Sequence, residues 1–239
     1  MRFSRIMFAM TKYNDKLFCF SPPAMLVTFI IELVLAVYTL VRYKSNLVRN
    51  ITVALLTCLA IFQLSEYNTC GRFKLQAAAW SSIGFVAITL LPPLGIHLVQ
   101  AISKKGHALV HWVAYATALP WLILFIKPST FSSHVCAGNY AIFQLATHYG
   151  GWYFAYYYAW LFIGLGACLY LAFKSAKKVT QESLILQAVG YLVFLLPTAV
   201  TNTLKPSTIS GIPSIMCGFA VLYALFLVFG VLPRQADKA

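Results

Sequence analysis

Seven continuously apolar runs, each long enough to cross a bilayer as a helix, occupy most of this 239-residue chain. They cover roughly residues 22–43, 49–67, 76–102, 108–126, 149–173, 183–204 and 211–232. About 20 apolar residues, rising 1.5 Å each, match the thickness of a hydrocarbon core. Strands of a membrane barrel would instead alternate apolar and polar residues over about ten positions. The expected fold is therefore all-α: an integral membrane bundle of seven transmembrane helices. Nothing between the runs suggests a second folded unit. The expected organisation is an N-terminal interfacial or flexible segment (1–21), a seven-helix domain (22–233) and a short tail (234–239).

Composition excludes the soluble alternatives. The chain is 61% hydrophobic and only 10% charged, yet its formal charge is +13, with eighteen Lys and Arg against five acids. A soluble domain has about 25% charged residues. A nucleic-acid binder of this charge would gather its bases on a polar face, whereas these sit in the gaps between apolar runs. No nucleic-acid partner is expected, and the bilayer itself is the first partner implied. The bases also choose an orientation. Arg42, Lys44, Arg49, Lys104, Lys105, Lys174, Lys177, Lys178, Arg234 and Lys238 fall on one side. The opposite loops hold Arg72, Lys74, Lys127 and Lys205, and the N-terminal tail adds Arg2, Arg5, Lys12 and Lys16 to them. The positive-inside rule puts the N-terminus outside and the C-terminus in the cytosol, with the basic tail dissenting. That tail lacks the unbroken apolar core of a signal peptide, since Lys12, Asn14, Asp15 and Lys16 interrupt it.

Six cysteines divide by depth. Cys58, Cys168 and Cys217 fall within runs, where a thiol packs as a small apolar group. Cys19, Cys70 and Cys136 fall on the external side of this topology; Cys70–Cys136 is the more natural disulfide and Cys19–Cys136 the alternative, so one thiol is left over. No CxxC or HExxH spacing occurs, so no metal site and no cofactor are expected.

Polar groups at membrane depth are functional candidates by default. Glu32, about halfway along the first run, lies some 15 Å from either end and is too short to reach water. It reads either as a protonation switch or ligand contact, or as a neutral acid bonded to a neighbouring Gln, Asn or Tyr. Glu66 reads as a solvated helix end or pocket rim close to Arg72 and Lys74, with Trp80 near the same rim. Pro92, Pro93 and Gly95 interrupt the third run and form a candidate hinge. His97 and Gln100 share a face there, and His111 approaches from the fourth run as a less favoured relay or metal candidate. The fifth run opens with Trp152, Tyr153, Tyr156, Tyr157, Tyr158 and Trp160. Trp152 and Tyr153 suit an interfacial belt; Tyr157 and Trp160 lie deeper and suggest an outward-facing aromatic pocket. Thr198, Thr201 and Asn202 form a stripe on the sixth run that, with Ser214 and Cys217, either closes that pocket or holds helices together.

The order of these motifs resembles the seven-helix N-terminal sensor region of bacterial histidine kinases and related signalling proteins. The second run ends in Ile61-Phe62-Gln63-Leu64-Ser65-Glu66, and the third begins Ala79-Trp80-Ser81-Ser82-Ile83-Gly84. It leaves through Leu91-Pro92-Pro93-Leu94-Gly95-Ile96-His97. Leu124-Phe125-Ile126-Lys127-Pro128-Ser129 follows the fourth run, with His134 beyond. Gln187-Ala188-Val189-Gly190, Pro197 and Asn202 mark the sixth, and Phe229-Gly230-Val231-Leu232-Pro233 the exit. The likeness spans roughly residues 22–233, each motif weak alone. It implies a multi-pass protein of the bacterial inner membrane that binds a small ligand among its helices. Such regions precede an output domain; residues 234–239 hold none, so signalling is expected through a separate cytosolic protein. The expected ligand contacts are Glu32, Tyr157, Trp160, Thr198 and Asn202.

Other classes rank lower. Retinal chemistry needs a lysine in the last helix, and residues 211–232 contain none. A small-molecule or proton-coupled transporter is the alternative, although repeated halves are not evident. Paired carboxylates at close spacing and Ser/His/Asp sets are missing from the sequence pattern, so no catalytic residues and no enzyme are expected.

Overall fold

The computed structural model describes residues 22–69, 77–105, 108–137, 140–145, 149–206 and 211–236. Residues 1–21, Arg72, Lys74, Cys19 and Cys70 lie outside the described residues, as does the side chain of Cys136. The expected disulfide and the tail's interfacial role therefore lie outside them too. Helices α1 (Pro22–Arg42) and α2 (Leu47–Thr69) are followed by α3 (Ala77–Thr89) and α4 (Leu91–Ser103), which run on as one rod. Next come α5 (Ala108–Phe125), α6 (Gly150–Phe173), α7 (Lys178–Leu204) and α8 (Ile212–Leu225). The last rod continues through a π-helical turn (Phe226–Val231) into α9 (Leu232–Gln235). Among the described residues this makes seven rods.

Six of them are long and apolar enough to cross a membrane, while the apolar stretch of α5 is shorter. The 18 residues of α5 still extend about 27 Å. Helices are the required solution for such sequence, because each closes its own backbone hydrogen bonds without water. Ser and Thr hydroxyls obey the same constraint. Thr52, Ser65, Thr69, Thr89, Ser183 and Thr198 each donate to the carbonyl four residues earlier, at 2.6–2.8 Å.

The bundle is all-helical, as expected, apart from one short hairpin between α5 and α6. Strands β1 (Phe131–Ala137) and β2 (Tyr140–Leu145) pair antiparallel there, with Val135 opposite Ile142. The segment is too short for an apolar span, and its Val, Ile, Phe and Tyr residues flank Gly138-Asn139, a pattern that favours a hairpin. The hairpin marks one end of the bundle. At the opposite, basic end, Asn46 Nδ2 donates to the carbonyl of Gln235, Gln235 Nε2 to Ser183 Oγ, and Arg234 pairs with Glu182 at 3.3 Å. The first loop, the start of α7 and the end of α9 are thereby tied together.

The α3–α4 rod lies at the centre, against α2, α5, α6 and α7. Some 72% of its most apolar stretch is buried, against 28% for α1 and 22% for α6. The outward faces remain apolar: Val27, Val34, Val41, Leu119, Ile123, Phe162 and Phe173 are all exposed. Glu32, Gln63, Glu66, Gln187 and Thr198 are buried. Polar inside and apolar outside is the reverse of a soluble domain and suits a lipid surround.

The central rod breaks at Leu90, just before the two prolines. Pro92 and Pro93 have no N–H to offer to the carbonyls of Ile88 and Thr89. Tyr156 of α6 supplies one replacement, donating its hydroxyl to the Thr89 carbonyl at 3.0 Å, while Tyr153 and Thr89 join their hydroxyls at 3.1 Å. Gly95, expected as part of a hinge, serves close packing. A Cβ there would stand 2.3 Å from the Tyr191 hydroxyl, and one at Gly164 of α6 would stand 2.9 Å from the same oxygen. Tyr191 of α7 is thus wedged between two glycines of neighbouring helices.

Two outcomes follow for stability in detergent. Gly95→Ala should cost about 1–3 kcal/mol through overpacking. Adding Tyr191→Phe should recover most of it, because the clash is with the hydroxyl alone, and a double-mutant cycle reads the coupling. Tyr156→Phe should cost about 1–3 kcal/mol by stranding the Thr89 carbonyl, measured as a lowered unfolding midpoint.

Candidate functional site

Three helices bring the unusual side chains together. α1 packs on α2, and α8 packs on both. Glu32, ten residues into α1, is fully buried, and neither carboxyl oxygen has a hydrogen-bond partner among the described residues. Glu66 of α2 is also buried, at 1% exposure, with neither oxygen partnered among the described residues. The expectation of a solvated helix end at Glu66 is therefore corrected. Helix α2 runs on to Thr69, and the face carrying Glu66 is turned into the bundle, where α8 covers it. The two acids lie within electrostatic reach of each other, and the Cys217 thiol of α8 is within reach of both. One turn above Cys217, the buried Ser214 hydroxyl lies beside Glu66 but outside good hydrogen-bond geometry. Gln63, three residues before Glu66 and so on the same face of α2, is buried with its Nε2 unpartnered.

The order along the axis follows from helix rise. Glu66 is three residues from the end of α2 and Ser214 two from the start of α8, so both lie within about 5 Å of the hairpin end. Cys217 is about one turn deeper, and Glu32 lies about 15 Å into α1. The result is a polar column descending into an apolar bundle. Two ionised carboxylates so placed would be costly, because each loses hydration and repels the other.

Beside this column runs a narrow aromatic slot. Tyr157, Tyr191, Phe194, Met216, Cys217 and Tyr223 help to line a cavity of about 30 Å³. A second, of about 10 Å³, is lined in part by Tyr153, Tyr157, Pro213, Met216 and Cys217, nearer the hairpin end. One water needs about 10–15 Å³ of such space, so in this packing the two cavities have room for a water or two, and a larger ligand would need the helices to part. At the inner end of the slot, Gln187 Nε2 donates to the Tyr223 hydroxyl at 2.5 Å, and a Cβ at Gly190 would meet the Tyr223 ring at 2.6 Å.

The remaining sequence candidates are placed as follows. Tyr157 lines both cavities. Trp160 does not: it is partly exposed, and its Nε1 donates to Thr117 of α5 at 2.9 Å. Thr198 is buried and bonded back to the Phe194 carbonyl, and Asn202 is partly exposed near the hairpin end of α7. Neither lines the slot. Trp80 is partly buried at the start of α3, with its Nε1 unpartnered. Trp152 is exposed, as an interfacial belt requires, but Tyr153 is buried among Phe85, Trp121 and Phe125 at ring-centroid separations of 4.9–5.9 Å. Toward the basic end, His97 and His111 do meet. Their rings stack at 4.6 Å, with His97 Nδ1 3.3 Å from Tyr115 Oη and His111 Nδ1 2.5 Å from Gln100 Oε1. Among the described residues, no group of three His, Cys, Asp or Glu could hold a metal ion.

Sequence reasoning singled out Glu32, Ser214 and Cys217 but missed the burial of Glu66 and its pairing with Glu32. The signals were present: Gln63 and Glu66 lie three apart on one face of α2, as Ser214 and Cys217 do on α8.

No known protein family, curated protein or solved structure matches this chain. Fold and site define a class nonetheless: a bundle with six helices of membrane-crossing length and apolarity, enclosing a buried pair of acids.

Since neither acid has a hydrogen-bond partner among the described residues, Glu32→Gln and Glu66→Gln should each leave the bundle folded and at least as stable, because an amide has no charge to desolvate. The double variant should gain less than the sum, because the first substitution already removes the mutual repulsion. Thermal unfolding of the four proteins checks this; strictly additive shifts would separate the two acids energetically.

Proposed function

We propose that this chain is a seven-helix membrane sensor that binds a small ligand near the hairpin end and passes the signal to its basic, cytosolic end. The buried Glu32 and Glu66, without a hydrogen-bond partner among the described residues, carry the reading. Evenly packed apolar helices have no use for two uncompensated acids, whereas a ligand-responsive bundle gains from them: an occupant that neutralises the pair changes how α1, α2 and α8 fit together. Resemblance to the sensor regions of bacterial histidine kinases points the same way. In this reading the chain is a multi-pass protein of a bacterial inner membrane, with its hairpin end outside and its basic end in the cytosol.

A relay to the basic end has a physical basis. The α8 rod carries Ser214 and Cys217 beside the acids and ends at Arg234, which pairs with Glu182 and donates to the Gly230 carbonyl at 2.7 Å within the π-helical turn. Movement of α8 near the acids is therefore delivered to the surface a cytosolic partner would meet. Transport is the second reading, favoured by the break at Leu90 and by a protonatable pair, since interrupted helices and intramembrane acids recur in transporters.

Thermal unfolding of the purified protein against a metabolite panel tests sensing. A ligand at 100 times its dissociation constant should add about 2.7 kcal/mol. Parallel uptake into proteoliposomes separates the readings: binding without flux supports the sensor, and pH-dependent flux that fails in Glu32→Gln supports transport.

A further inference from the structure

We propose that a lateral groove between α2, α3 and the end of α5 holds one acyl chain of a phospholipid from the leaflet on the hairpin side. Helices α2 and α5 both pack on α3, and an open groove of about 410 Å³ lies between them. Cys58 and Ile61 line it from α2, and Ile126 lines it just past α5. From α3 come Ile83, Ala87 and Leu90, spaced four and three apart and so on one face. Ile61, Ile83 and Ile126 are 36, 44 and 64% exposed, so the groove opens outward and continues the apolar outer surface. This site shares no residue with the buried acids, and it stands whether or not the sensor reading does.

Chemistry and depth select the occupant. Among the described residues that line the groove none is charged, and its one hydroxyl, Ser82, already donates to the Phe125 carbonyl. What remains is apolar surface, with nothing to orient a polar ligand. Cys58 is the middle residue of α2, and Leu90 is the break midway along the central rod. From Ser82 to Leu90 the groove descends about 12 Å, close to one leaflet of a hydrocarbon core about 30 Å thick. A groove that stops at mid-depth suits a lipid tail, whereas a membrane-crossing helix would pack along the full thickness. At the outer mouth Lys127 follows Ile126 and is exposed, which puts a cation at the level of the phosphate headgroups. The bound chain bridges α2 and α5, and its tip meets the central rod where that rod is broken.

The test uses the full chain in bilayers containing phosphatidylglycerol with a diazirine on one acyl chain. After irradiation, adducts should concentrate on residues 58–61 and 83–90. This readout needs no variant to fold, and labelling spread evenly over the exposed faces of α1, α6 and α7 would overturn the proposal. Native mass spectrometry of the protein in detergent should show one retained phosphatidylglycerol. Ile83→Trp, which fills the groove from an exposed position, should lose it, while Val200→Trp, exposed on α7, should keep it. Lys127→Gln should weaken retention by about fivefold. A wild-type protein that retains no lipid, or an Ile83→Trp protein that retains it unchanged, would overturn the proposal. So would a photo-leucine crosslink from Leu90 to residues 1–21 or to a second copy, since either gives the groove a different occupant.

Discussion

A polar atom inside this bundle has no water to turn to, and the architecture is arranged around that constraint. Backbone groups close on themselves in helices, and most hydroxyls fold back onto the carbonyl one turn earlier. Where the backbone fails, at Pro92 and Pro93, a tyrosine from another helix makes good part of the loss: Tyr156 reaches the Thr89 carbonyl, and Tyr153 joins the Thr89 hydroxyl. The tyrosine-rich start of α6 is thus part of the repair of the broken central rod. Its rings also pack the hairpin end, where Phe85, Phe125 and Phe131 gather around Tyr153.

Against that background the exceptions stand out. Glu32, Glu66 and Ser214 are buried with no hydrogen-bond partner among the described residues, an exception they share with the Thr39 and Tyr191 hydroxyls. Their position on α1, α2 and α8 matters because α8 leads through the π-helical turn to the Arg234–Glu182 contact. A π-helical turn is an interruption often found at functional positions. One rod therefore runs from beside the buried acids to the Arg234–Glu182 contact.

Glycine performs a different task from flexibility in the central seam. Gly95 and Gly164 make room for one hydroxyl, and Gly190 makes room for the Tyr223 ring. The same tyrosines wall the aromatic slot, so the closeness of α4, α6 and α7 sets its width. Two prolines and a glycine within four residues suggest a hinge; a tyrosine 96 residues later turns Gly95 into a packing requirement.

The sequence by itself determined the number and limits of the helical rods, because a run of about 20 apolar residues in lipid has one backbone solution. It also identified Glu32 as misplaced charge, since depth follows from position along a helix. Three things were decided only by tertiary structure. Rotation of α2 about its axis buries Glu66, although its place three residues from the helix end looks solvated. Packing of α8 against α1 and α2 joins acids that are 34 residues apart, and no local spacing encodes that contact. The fate of the aromatic residues, with Tyr157 in the slot and Trp160 against Thr117, follows from which neighbour each helix face meets. Periodicity shows which residues share a face, but only the assembled bundle shows what that face touches.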